Sequence, residues 1–157
     1  MNYIGLALIL ALSTVSYQAV AHDKDAVAAS MMGTPERTLE AYRSAIEGLD
    51  DTNMPRLFTD DALVFENGKA EGSFGNYLAH HLSPELKEFQ SFTFSNVATE
   101  MSVLGETAIA SETYTYTIVL KDGRTIETQG VATAVLVTRD ESWKIAQYHS
   151  SSRTPKK

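Results

Sequence analysis

Trp143-Lys144-Ile145-Ala146-Gln147-Tyr148-His149-Ser150-Ser151 is the stretch on which the reading of the fold turns. Apolar and polar residues alternate along it, as a half-buried strand requires, and only a short basic tail, 153–157, comes after it. Strict alternation sets Trp143, Ile145, Gln147 and His149 on one face and Lys144, Ala146, Tyr148 and Ser150 on the other. The first face begins apolar and turns polar toward the strand's end. That pattern suits a strand running from a packed core into the mouth of a cavity, so Gln147 and His149 are expected to face that cavity.

Working backward, the chain keeps this character as far as Phe89. The runs Gln90–Val103, Thr107–Leu120 and Thr125–Val137 are rich in Thr, Val, Ile, Tyr and Phe, the residues that suit a pleated surface. The breaks at Gly105-Glu106, Asp122-Gly123 and Arg139-Asp140-Glu141 are short, which predicts antiparallel neighbours. Several runs exceed ordinary strand length, which implies curvature or bulges, and Gly130 is the expected bending point.

The first half reads differently. Thr34-Pro35 is a helix start, a capping hydroxyl followed by a residue that needs no amide hydrogen, and Leu39, Tyr42, Ile46 and Leu49 recur at helical spacing. A short helical turn is expected from Asn53 to Phe58. Ala62-Leu63-Val64-Phe65-Glu66 is a strand, and Asn67-Gly68 a hairpin turn into Lys69-Ala70-Glu71. Ser73 opens a further helix on which Phe74, Tyr77, Leu78 and His81 share a face, with His80 off it. Ser83-Pro84 restarts a helical turn. Helices first and a curved sheet afterwards give an α+β domain with one sheet face covered.

The chain has 157 residues, with 13 basic and 20 acidic side chains and a formal net charge of −7. An acidic balance excludes a nucleic-acid partner, which needs a basic footprint. There is no cysteine, so disulfides, thiolate chemistry and cysteine-bound zinc are excluded. Residues 1–21 read as a signal peptide, with an apolar run around Leu6–Leu12 and small residues at Ala19 and Ala21. The organisation expected is that signal peptide, a lead over 22–33, a single domain over 34–152 and a basic tail. The location is then periplasmic or secreted, with no stable membrane span in the mature chain.

Five side chains carry the search for chemistry. His149 can accept a proton or donate a hydrogen bond, and its bland alternative is a histidine at a fraying sheet corner. His81, among apolar neighbours, must have a polar partner, and Glu85 one turn on would serve. Glu66 sits at a strand end where burial would make it an acid or base, although a hairpin glutamate is ordinarily solvated. Tyr114 and Tyr116 share a face with Glu112 and would line a pocket or fill the core. Glu66, His81, Tyr116 and His149 are the candidate catalytic residues, and Phe74, Tyr77, Tyr114, Gln129 and Gln147 the candidate ligand contacts. No phosphate loop, His-Glu-x-x-His, calcium loop or Gly-x-Ser-x-Gly is present, so no cofactor and no metal ligand is assigned.

From Pro35 to Ser152 the chain resembles the SnoaL-like and DUF4440-type branch of the nuclear-transport-factor-2-like superfamily. The residues that carry the likeness are Leu39 and Tyr42 on the first helix, Asp60-Asp61-Ala62-Leu63-Val64-Phe65-Glu66-Asn67-Gly68, Tyr77, and the closing strand, where a Trp-x-Ile pattern ends in His-Ser-Ser. The resemblance implies a cone formed by one curved antiparallel sheet covered by about three helices, usually dimeric, with an internal cavity. It also implies that isomerases, cyclases and dehydratases, but also non-catalytic binders, are relatives.

The first functional expectation is an exported protein binding a small apolar or mixed-polarity molecule. The alternatives are an isomerase, cyclase or dehydratase working by Glu, His and Tyr acid–base chemistry, a zinc or copper binder, and a homodimeric docking domain.

Overall fold

The computed structural model describes residues 33–155. The expected signal peptide, the lead up to residue 32 and the last two residues of the tail lie outside the described residues. The chain order is α1 (Pro35–Glu47), a 3-10 turn (Met54–Leu57), β1 (Phe58–Glu66) and β2 (Lys69–Ser73). A continuous helical run comes next, made of α2 (Phe74–Tyr77), a π-helical turn (Leu78–Leu82) and α3 (Ser83–Glu88). The rest is β3 (Phe89–Leu104), β4 (Thr107–Leu120), β5 (Thr125–Arg139) and β6 (Ser142–Arg153).

Local chemistry sets the boundaries. Thr34 Oγ1 accepts from the Arg37 amide at 3.3 Å and Pro35 opens α1, while Ser73 caps α2 through the Asn76 amide at 3.2 Å. Asn67 and Gly68 both take positive φ, 48° and 84°, as a tight hairpin with right-handed strand twist demands. Leu49, expected on the α1 stripe, lies past the helix end with φ 51° and is only partly buried.

The sheet corrects the expected cone. Its strand order is β2-β1-β6-β5-β4-β3, and β1 pairs with β6 in parallel, Val64 opposite Tyr148 and Glu66 opposite Ser150. The sheet is therefore mixed rather than antiparallel. It is also open, because β2 and β3 are its two edges and do not pair with each other. Two helical elements, α1 and the run from Phe74 to Glu88, accompany it, rather than about three. Short turns force antiparallel pairing only between strands they join. No short turn joins β1 to β6, so their relative direction is left to the path of the intervening chain.

Three irregularities change where side chains emerge from the sheet. In β1–β2, Val64 faces Gly72 and Phe65 faces Ala70, leaving Glu71 as an extra residue beside Gly72 at φ 85°. In β5–β6, Val135 faces Gln147 and Leu136 faces Ile145, leaving Ala146 extra. In β3–β4 the register slips between Ser95 and Ala98, with Asn96 at φ 53°. Gly130, by contrast, pairs regularly with Tyr114; its lack of a side chain makes room for the Tyr114 ring, which a Cβ there would overlap.

One face of the sheet packs under the helices. Leu39, Met54, Phe58, Val64, Leu136 and Ile145 are buried at its centre, and the Phe58 and Phe74 rings stack at 3.5 Å between centroids. Between α1 and β4, Arg43 pairs with buried Glu112, which also accepts from Thr99 Oγ1 at 3.0 Å. The opposite face carries Leu63, Ile109 and Val131 exposed to solvent. Among the described residues no helix is long and apolar enough to cross a membrane.

Candidate functional site

The helices and the inner sheet face enclose a cavity of about 100 Å³. Its polar side is built from the end of β1, the helical run and the end of β6. Its apolar side is built from β3 and β4, where Phe92, Phe94 and Tyr116 lie close together.

Glu66 enters the cavity because it is the last residue of β1 and points inward with Val64, while Leu63 and Phe65 point out. Its side chain is 23% exposed, and Oε2 is buried without a hydrogen-bond partner among the described residues. Burial raises the Glu66 carboxyl above the ordinary carboxylate range, and His81 opposes the rise. Glu85 and Glu71 push it further up, and the Tyr77 hydroxyl holds it down. A largely buried carboxyl raised by burial and set beside an imidazole is the usual ground state of a general base or acid.

Behind Glu66 stands His81, turned inward by the π-helical turn, whose extra residue per turn is a frequent device at functional sites. His81 Nε2 lies 3.2 Å from Glu66 Oε2 and 3.2 Å from Glu85 Oε1, and Nδ1 lies 3.4 Å from Glu71 Oε1. The Glu71 bulge brings that carboxylate inward, where it also accepts from Lys69 Nζ at 2.9 Å. That hydrogen bond holds Glu71 below the ordinary carboxylate range. Glu66, Glu71 and His81 offer ligand atoms within 4.8 Å of one another, a spacing that would admit a cation. However, both imidazole nitrogens already face carboxylates, so His81 is committed to holding Glu66, Glu71 and Glu85 in place.

Four tyrosine hydroxyls complete the lining. Burial raises Tyr42, Tyr77 and Tyr148 far above the usual phenol range and pushes Tyr114 up to about 12. All four stay neutral donors at any ordinary pH. The Tyr42 and Tyr148 rings meet edge to face at 5.3 Å.

The expected site residues therefore separate. Glu66, Tyr77, Tyr114 and Tyr116 line the cavity, and His81 adjoins it through Glu66. Phe74 is buried against Phe58 in the core instead. Gln129, on β5, is exposed and borders a separate open pocket with Gly130 and Ser151, while His149 and Gln147 are corrected outright: both are exposed on the outer face, His149 beside the Phe65 ring at 6.1 Å. The cause is the extra residue at Ala146. It interrupts the alternation, so that Ile145 and Tyr148 share the inner face and every later residue changes sides. Tyr148 and Ser150 thereby line the cavity, where strict alternation had placed His149. Glu71 and Tyr42 were also missed as site residues. Gly72, a turn residue inside a strand, was the one available signal for the Glu71 bulge.

Residues 36–155 match the family described as SnoaL-like domain. No curated protein matches the chain. Solved structures match it across most of their length. A candidate ketosteroid isomerase from Shewanella frigidimarina is 21% identical, with 73% of this chain and 92% of that one covered and a TM-score of 0.64. A candidate dehydratase of the NTF2-like family from Streptomyces avermitilis is 17% identical, covering 76% and 94%, with a TM-score of 0.67. A nuclear transport factor 2-like superfamily protein from Salmonella enterica is 19% identical, covering 85% and 94%, with a TM-score of 0.65. At such identities the likeness is one of fold.

Proposed function

The chain belongs to the SnoaL-like family of nuclear-transport-factor-2-like proteins, and we propose from that premise that it is an acid–base enzyme of the isomerase or dehydratase kind. The observation that carries the reading is Glu66: a largely buried carboxyl, 3.2 Å from the His81 imidazole, facing a cavity lined by neutral tyrosine hydroxyls. Ionised Glu66 removes a proton from a carbon next to a carbonyl. The electron pair moves to the carbonyl oxygen, where Tyr42 or Tyr148 donates a hydrogen bond to the developing oxyanion. Return of the proton to a different carbon isomerises the substrate, and loss of a β-hydroxyl dehydrates it. His81, fixed by Glu71 and Glu85, orients Glu66. The names of the structurally similar isomerase and dehydratase agree with this class of chemistry and carry no weight of their own on substrate.

Export to the envelope is part of the proposal and rests on the apolar run of residues 1–21. The enzymatic reading is tested by solvent-deuterium exchange into a panel of small enolisable ketones, monitored by NMR. Glu66→Gln is expected to lower Glu66-dependent exchange by roughly a hundredfold or more. Exchange at the native rate in Glu66→Gln would dismiss the reading.

A further inference from the structure

We propose that the cavity beside Glu66 takes a small organic cation, an amine or quaternary ammonium group about the bulk of one ring. The inference rests on the same cavity as the proposed activity and narrows its substrate class.

Charge is the first support. Among the described residues that line the cavity, Glu66 and Glu85 are acidic and none is Lys, Arg or His. The basic groups nearby are already committed: Arg43 to Glu112, Lys69 to Glu71, and His81, whose Nε2 lies 3.2 Å from both Glu66 and Glu85 and whose Nδ1 faces Glu71. A concave site in which three carboxylates, Glu66, Glu71 and Glu85, share one imidazole and one lysine repels carboxylate and phosphate ligands and concentrates cations. The chain's net charge of −7 acts in the same direction.

The second support is the aromatic wall. Phe92 stacks on Tyr116 at 5.1 Å and tilts against Phe94 at 4.8 Å, and Phe94 meets Tyr114 edge to face at 5.2 Å. Tyr42 and Tyr148 add to the same lining. Ring faces carry negative potential, and a cation held over several of them is attracted without needing a directed hydrogen bond. A neutral apolar guest would fill the same wall but gain nothing from the carboxylate of Glu66 beside it. A cationic head is drawn both to the ring faces and, by charge alone, to the carboxylate.

Size is the third. The cavity is about 100 Å³, smaller than the ~150 Å³ apolar cavity known to hold a benzene molecule. A trimethylammonium or cyclic amine head enters; a fused-ring molecule does not.

The test compares choline with its neutral isostere, in which a tert-butyl group replaces trimethylammonium, and with pivalate. Each is titrated calorimetrically into the full chain. Choline is expected to bind on the order of tenfold more tightly than the isostere, and pivalate not at all. Glu66→Gln and Tyr116→Leu should each bring choline toward the isostere while leaving the isostere within about twofold. Should Tyr116→Leu fail to fold, Phe92→Leu reads the same wall from the neighbouring strand. Equal binding of choline and isostere, preference for pivalate, no choline binding, or choline binding indifferent to both substitutions would overturn the inference. Choline binding involves no proton transfer, so the two ideas fail separately. Lost choline binding with intact Glu66-dependent exchange removes only the ligand class; lost exchange with intact choline binding removes only the enzyme.

Discussion

Replacing Gly130 by alanine tests the packing on which the cavity depends. Gly130 lies opposite Tyr114 in the β4–β5 register, and a Cβ there would meet Tyr114 Cδ2 and Cζ at 2.8 and 2.9 Å, inside any real contact. The backbone itself would tolerate alanine, because Gly130 is not among the glycines with positive φ. The whole penalty therefore comes from the ring. Tyr114 is 8% exposed and wedged against Phe94 at 5.2 Å, so it cannot swing aside freely. Overpacking of this kind costs about 1–3 kcal/mol. Loss of glycine's freedom in the unfolded chain returns about 0.4–1 kcal/mol, leaving a net destabilisation of about 1–2 kcal/mol. For a domain of this size that is a fall in Tm of roughly 4–8 °C. The assay is thermal unfolding of the wild type, Gly130→Ala, Tyr114→Ala and the double variant. With the ring removed, Gly130→Ala should become neutral or mildly stabilising, a coupling of about 1–3 kcal/mol. An equal Tm loss in both backgrounds would refute the steric argument, and so would an unchanged Tm in the native background.

The same geometry sets other outcomes. Glu66→Gln should be more stable than wild type at neutral pH and no more stable in acid. A carboxyl whose folded pKa is raised contributes stability below its unfolded pKa and loses it as pH rises through the folded value; denaturant melts across pH 3–8, or thereabouts, would show the difference. Tyr148→Phe should lower deuterium exchange by roughly ten- to a hundredfold, while His149→Ala, on the outer face, should leave exchange unaltered and stability within about 0.5 kcal/mol. Arg43→Ala leaves Glu112 buried and unpaired and should cost about 3 kcal/mol, whereas joint replacement by Arg43→Met and Glu112→Leu should cost far less; urea melts distinguish the two. Deleting Ala146 should turn Tyr148 outward and strip the cavity of it, with collapse of cooperative unfolding as the readout.

Elements whose cause is local were legible from the chain. The Thr34 and Ser73 caps, the Asn67-Gly68 hairpin and the inward face shared by Glu112 and Tyr114 each arise from a few neighbouring residues, and so does the exposure of His80. Glu66 was also legible as an inward strand-end carboxyl, since the extra residue at the β1–β2 slip lies in β2 and leaves the alternation from Val64 to Glu66 intact. His149 was misplaced for the opposite reason. One inserted residue reverses an alternation, and nothing about alanine at position 146 announces a bulge. The role of Gly130 escaped as well, because a glycine beneath a cross-strand ring and a glycine at a bend look alike in sequence.

What the chain by itself determined is an α+β domain of the SnoaL-like kind, its helix and hairpin boundaries, and a carboxylate at the end of its first strand. Those depend on capping, periodicity and turn chemistry, which act over a few residues. Only the tertiary structure decided that β1 and β6 run parallel in an open mixed sheet, that Tyr148 rather than His149 faces the cavity, and that Glu71 and Glu85 close around His81. Pairing between distant strands and the side on which a side chain emerges after a bulge depend on residues far apart in sequence. Such contacts leave no local periodic signature, and they are what assembled Glu66, four tyrosines and an aromatic wall into one site.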